Sequence, residues 1–155
     1  MSYHLIVGVA FAIFIFLFGM TFIISLVAGL VSVVLDYTIL HTFLAENFIS
    51  PGDAIILMRE TVFEPYYYYS AKFLVVAYIF TIAYSILKNS IQNIWILGGI
   101  ISIITNAVWG IYYSFIYPTP APAMLSSAII IAVSHNIFMF VGAVIGLAIL
   151  KMLER

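Results

Sequence analysis

The sequence predicts an all-α integral membrane protein, a four-transmembrane-helix bundle with a long first helix and a short extramembrane helix between spans one and two. Three observations predict it. Of 155 residues, 66% are hydrophobic and 7% charged, with a mean hydropathy of +1.25, whereas a soluble domain carries about 25% charged residues to solvate its surface. The apolar stretches are long enough for the ~20-residue helix that a ~30 Å hydrocarbon core requires. The segments between them hold the prolines, turn residues and tyrosines that end helices or favour a membrane interface.

The same composition excludes several function classes. Five Lys plus Arg against six Asp plus Glu give a net charge of −1, and no basic run exists to neutralise nucleic-acid phosphates. The chain has no cysteine, which removes disulfides, thiolate metal sites and thiol nucleophiles together. The five basic residues are scattered along the chain and build no phospholipid-headgroup site in the sequence.

Leu5 to Leu35 is free of formal charge, and as one helix would reach roughly 46 Å. It lacks the basic n-region of a signal peptide and is read as a retained first span, residues 5–35. An extramembrane cap, 36–66, follows. Ser50-Pro51-Gly52-Asp53 marks a helix start within it: a serine that caps, a proline for the first turn, and an acid for the positive dipole end. Span two is expected over 67–87, with Lys72 snorkelling outward, span three over 92–116 and span four over 124–150. Lys88-Asn89-Ser90 turns between spans two and three, and the proline-rich 118–122 between three and four.

Tyr66, Tyr67, Tyr68 and Tyr69, with Trp109, Tyr112, Tyr113 and Tyr117 at the same level, form an expected aromatic belt. Lys88, Lys151 and Arg155 fall on one side, Arg59 and Lys72 on the other. The positive-inside rule then places both termini in the cytoplasm, with the cell membrane as the expected location.

Each span carries a stripe of small or polar residues at three-to-four spacing, as helices packing in lipid require. Span one offers Thr21, Ser25, Gly29, Ser32 and Asp36; span two Ser70, Ala77, Thr81 and Ser85. Span three offers Ser102, Asn106, Trp109 and Tyr113; span four Ser127, His135, Met139, Gly142 and Gly146. Ser25, Gly29, Gly142 and Gly146 are the expected close-packing positions. Asn106, His135 and Asn136 share midplane depth, so Asn106 and His135 are expected to face each other, with Thr81 or Thr21 completing a polar cluster. Asp36 and His41, five residues apart, would stand about 140° apart on an α-helix; with Glu46 they read as a solvated face. Arg59 with Glu60 or Glu64 reads as a local ion pair.

No nucleophile-and-base pair, HExxH helix or glycine-rich phosphate loop is present, so an enzyme acting alone is not expected. The leading reading is a non-catalytic subunit of a larger membrane assembly, respiratory, transporting or homo-oligomeric. The partners would be lipids and other integral-membrane subunits or copies of the chain. The first alternative is a small channel or transporter with a polar path through Asn106 and His135. The second is a haem- or quinone-binding electron-transfer subunit using His135, although no cofactor or metal is expected from a lone midplane histidine.

Overall fold

The computed structural model describes residues 2–63, 65–116 and 122–155, with the side chains of 58–66 and 116 outside that description. Six helices follow in order: α1 (Tyr3–Phe18), α2 (Met20–Asn47), α3 (Pro51–Phe63), α4 (Pro65–Leu87), α5 (Ile94–Ile116) and α6 (Leu125–Leu153). No strand occurs among the described residues. Four of the helices, α2, α4, α5 and α6, are long and apolar enough to cross a membrane.

These four form a ring in which sequential neighbours run antiparallel. Phe22 of α2 stacks on Tyr78 of α4, while Asp36 of α2 meets Lys72; rising numbers on one helix meet falling numbers on the other. The same α2 meets Gly142 through Ala28 and His135 through Asp36. Small residues permit these approaches. A Cβ added at Gly29 would lie 2.6 Å from the Phe73 carbonyl oxygen, and one at Gly142 would strike the Ala28 carbonyl and sit 2.7 Å from Ser32 Oγ. Gly146 packs against the Phe80 ring, and Ser25 is fully buried, donating to the Phe22 carbonyl. Ser32 donates across the helix pair to the Phe138 carbonyl at 3.2 Å, an interhelical bond between two apolar helices.

The first helix departs from the expectation of one long span over 5–35. The chain turns at Gly19, whose φ of 53° and ψ of −124° suit a residue without a Cβ. α1 folds back against α2 and α4: Phe14 lies 4.5 Å from the Tyr78 ring and Tyr3 6.1 Å from Tyr67. It therefore runs parallel to α4. The amino terminus lies at the Tyr67 end of the bundle, whereas Glu154, near the carboxy terminus, accepts from Tyr84 at the other. The termini stand at opposite ends, not together. Nothing polar marks this turn, because a lone glycine in an apolar run is equally compatible with continuous helix. At 16 residues, α1 reaches about 24 Å, short of a ~30 Å hydrocarbon core.

Residues 36–57 are packed on the bundle. Leu40, Ala45, Ile49, Ala54 and Leu57 bury against Phe138, with Ile130 and Ile131 at the margin. The Ser50 start signal forms as expected: Asp53 N–H donates to Ser50 Oγ, and Ser50 Oγ donates to Asp53 Oδ2 at 2.8 Å. Asp53 also accepts from the backbone N–H groups of Ala123 (2.7 Å) and Met124 (3.2 Å), which fastens α3 to the start of α6. The Arg59 pairing with Glu60 or Glu64, and the 118–121 part of the proline connection, lie outside the described residues.

The Ala123 amide, first, and the Ser50 hydroxyl hold the Asp53 carboxyl below its ordinary value of 3.8. A carboxyl lowered in the folded state stabilises fully above its unfolded value, and the contribution is lost as pH falls through the folded one. Amide proton shifts of Ala123 and Met124, followed by NMR, should therefore move together with a midpoint below pH 3.8. Asp53→Asn should abolish that inflection; a midpoint at or above the ordinary value would contradict the fastening.

Candidate functional site

The sequence sets one acid, Asp36, at the end of a long apolar run, and the structure makes it the centre of a buried ionic site. Asp36 and Lys72 are both 0% exposed. Lys72 Nζ lies 2.8 Å from Asp36 Oδ1 and 2.6 Å from His135 Nδ1, and His135 Nδ1 lies 3.3 Å from the same oxygen. Three polar atoms from α4, α2 and α6 thus stand mutually within 3.3 Å. An ammonium only donates, so His135 Nδ1 is the acceptor and the neutral ring carries its proton on Nε2.

His41 completes the group by a change of helix type. Asp36 to Leu44 forms a π-helix of nine residues, in which backbone bonds run i to i+5 and residues five apart share a face. His41 Nδ1 accordingly lies 3.4 Å from Asp36 Oδ2 and 3.2 Å from the Asp36 carbonyl oxygen. Side-chain hydrogen bonds to backbone acceptors accompany it. Thr38 donates to the Val34 carbonyl at 2.7 Å, Thr42 to the Thr38 carbonyl and Asn47 to the Phe43 carbonyl at 2.8 Å; such back-bonding loosens and bends a helix. The solvated-face reading of Asp36, His41 and Glu46 is corrected: Asp36 and His41 are buried, and only Glu46 is exposed.

The site is under-supplied with hydrogen bonds. Asp36 meets its bases as close ion-pair contacts, led by Lys72 at 2.8 Å, while His41 Nε2 and the Tyr69 hydroxyl are buried without a hydrogen-bond partner among the described residues. Buried polar groups are normally satisfied, because each one left bare costs about 1–3 kcal/mol.

Aromatic rings from α4 and α5 line the site. Tyr68 is 1% exposed and Trp109 3%; their rings meet edge-on at 5.4 Å, Lys72 Nζ lies 5.9 Å from the Trp109 ring centre, and Tyr68 lies edge-on to His41 at 5.5 Å. These two expected belt residues are core. Tyr67 is exposed and Tyr69, Tyr112 and Tyr113 are half-buried; the Tyr66 side chain and Tyr117 lie outside the described residues.

The expected polar cluster is only partly assembled. His135 is in the site, but its Nδ1 accepts from Lys72, and no hydrogen bond among the described residues joins it to Asn106. Asn106 and Asn136 are half-buried. The inward face of α5 instead holds Ser102, Thr105 and Trp109, each at most 3% exposed, so Asn106 is turned about 100° from Thr105. Thr81 is fully buried and donates to the Ala77 carbonyl on its own helix. It stands nine residues, about 13 Å, beyond Lys72, and half-buried Thr21 stands about 22 Å before Asp36. Neither completes the site.

Lys72 is the residue that sequence reasoning misplaced, since it does not snorkel outward. Its signal was available: Tyr68, Lys72, Val76 and Phe80 recur every four residues, and all are at most 2% exposed. A lysine aligned with that apolar stripe must point where the stripe points. Among the described residues, no group of three or more His, Cys, Asp or Glu is arranged to hold a metal ion. Comparison with protein-family models, characterised proteins and solved structures finds no match for this chain.

Removing one partner of a buried ion pair strands the other, at about 3–5 kcal/mol, whereas replacing both by apolar residues of similar volume is close to neutral. Asp36→Leu and Lys72→Met should each destabilise the protein by roughly that amount, and the double variant by far less than their sum. Denaturant unfolding of the four proteins checks this; additive losses would show that the two charges act apart.

Proposed function

We propose that this chain is a multi-pass integral membrane protein that translocates protons through the Asp36, Lys72, His135 and His41 site. The observation that carries the reading is the surplus of bases on one dry carboxylate. A structural ion pair needs one cation; here three nitrogen bases from three helices lie within 3.4 Å of Asp36. Such a set supports taking up, sharing and releasing a proton, because the Lys72 to His135 contact is already a donor–acceptor pair. Ionisable residues within membrane helices, and π-helical segments, both concentrate at functional sites.

Of the readings open from sequence, this favours the small channel or transporter, with Asp36 and Lys72 taking the place given to Asn106. Assembly with other subunits or with copies of the chain gains no specific support, since lipid covers the same outward side chains. Haem or quinone binding at His135 gains no specific support either. For orientation, Lys72 is buried and no longer counts as a flanking charge, leaving Lys88, Lys151 and Arg155 against Arg59. The positive-inside rule then assigns the carboxy-terminal end to the cytoplasm and, with α1 folded back, the amino terminus to the opposite face.

The test is proton flux into sealed vesicles carrying the purified protein and an internal pH dye, under an imposed potential. Flux should appear with the parent chain and fall to that of protein-free vesicles in the Asp36→Leu/Lys72→Met double variant, whose circular dichroism should match the parent. No flux from the parent, or full flux from the folded double variant, would overturn the proposal.

A further inference from the structure

At the opposite end of the bundle from Tyr67 and Tyr68, α4, the turn after it, α5 and α6 line a cavity of about 350 Å³. It has two chemically distinct walls. Ile94, Leu97 and Leu147 form the side nearest the apolar spans, while Lys88 and Lys151 stand on the outer side with Asn89 and Gln92. The lysines lie 63 positions apart in sequence, and α4 and α6 bring them to one cavity. Two of the five scattered basic residues therefore do converge.

Glu154 also lines the cavity, but its carboxylate accepts from the Tyr84 hydroxyl at 2.6 Å, which draws its charge to the α4 wall. Lys88 Nζ lies 5.8 Å from the Tyr84 ring centre. Two ammonium groups against one engaged carboxylate, with amide groups beside them and aliphatic side chains beneath, match a phosphate carried on an acyl chain. Basic pockets between membrane helices on the cytoplasmic side hold anionic headgroups by this combination.

We propose that this cavity binds the headgroup of an anionic phospholipid, with Lys88 and Lys151 at the phosphate and Leu97 and Leu147 against the first acyl carbons. The site is separate from the Asp36 cluster and requires only that the protein resides in lipid, so binding and transport can fail independently.

Intact protein in a non-ionic detergent can be titrated with short-chain phosphatidylglycerol, with phosphatidylcholine of the same chain length, and with inorganic phosphate, reading the thermal midpoint and apparent Kd. Phosphatidylglycerol should bind more tightly than phosphatidylcholine. Lys88→Ala and Lys151→Ala should each weaken it about fivefold, the increment of one lysine near an anionic surface, while leaving phosphatidylcholine unchanged. Lys88→Arg/Lys151→Arg should retain the preference. Equal affinity for the two lipids, or a preference that survives loss of both lysines, would overturn the proposal. A shift by inorganic phosphate equal to that by phosphatidylglycerol would overturn the assignment to a lipid.

Discussion

Two opposite charges in the dry interior of a helical bundle hold this structure to one register. Moving an ion from water to such an interior costs several kcal/mol even after relaxation, so Asp36 and Lys72 are tolerable there only together. Their 2.8 Å contact fixes how far α2 can slide along α4. His135, bound to the same pair, fixes α6 against both. A slip of one turn of α2 along α4 would separate the charges by about 5 Å and leave each without a partner.

The small residues one to two turns away make that contact reachable. Aspartate has a short side chain, and it meets lysine and histidine only where the helices run close. Gly29 against the Phe73 backbone and Gly142 against the Ala28 backbone provide that closeness. The π-helical segment then adds what an α-helix withholds, a second histidine on the face of the first acid. Packing, helix type and site chemistry are thus one arrangement: the glycines set the distance, the π-helical segment presents His41, and the charges select the register.

Much of the bundle was legible in the sequence because its signals are periodic. The stripe through Ser25, Gly29, Ser32 and Asp36 pointed inward, and so did that through Ser127, His135, Gly142 and Gly146; all are buried. The site was harder to read. An interval of five residues means opposite faces on an α-helix and one face on a π-helix, and composition does not display which helix type forms. Lys72 lay near a tyrosine-rich segment, where snorkelling is the ordinary behaviour, and only its alignment with Tyr68, Val76 and Phe80 opposed that reading. Asn106 and Thr105 differ by one position, and a stripe drawn at three-to-four spacing admits either. The turn at Gly19 left no trace, because the chain is free of formal charge on both sides of it, from Leu5 to Leu35.

The position of the Lys72 ammonium tests this account most directly. The chain has three lysines, so ¹⁵N-labelled side chains can be assigned by single substitutions in protein reconstituted into lipid and examined by magic-angle-spinning NMR. A strong dipolar coupling between Lys72 Nζ and the ¹³C-labelled Asp36 carboxyl, and none to the ³¹P of the lipid headgroups, is the predicted result. Coupling of Lys72 Nζ to headgroup phosphorus, with none to Asp36, would place the lysine at the membrane surface and contradict the buried site.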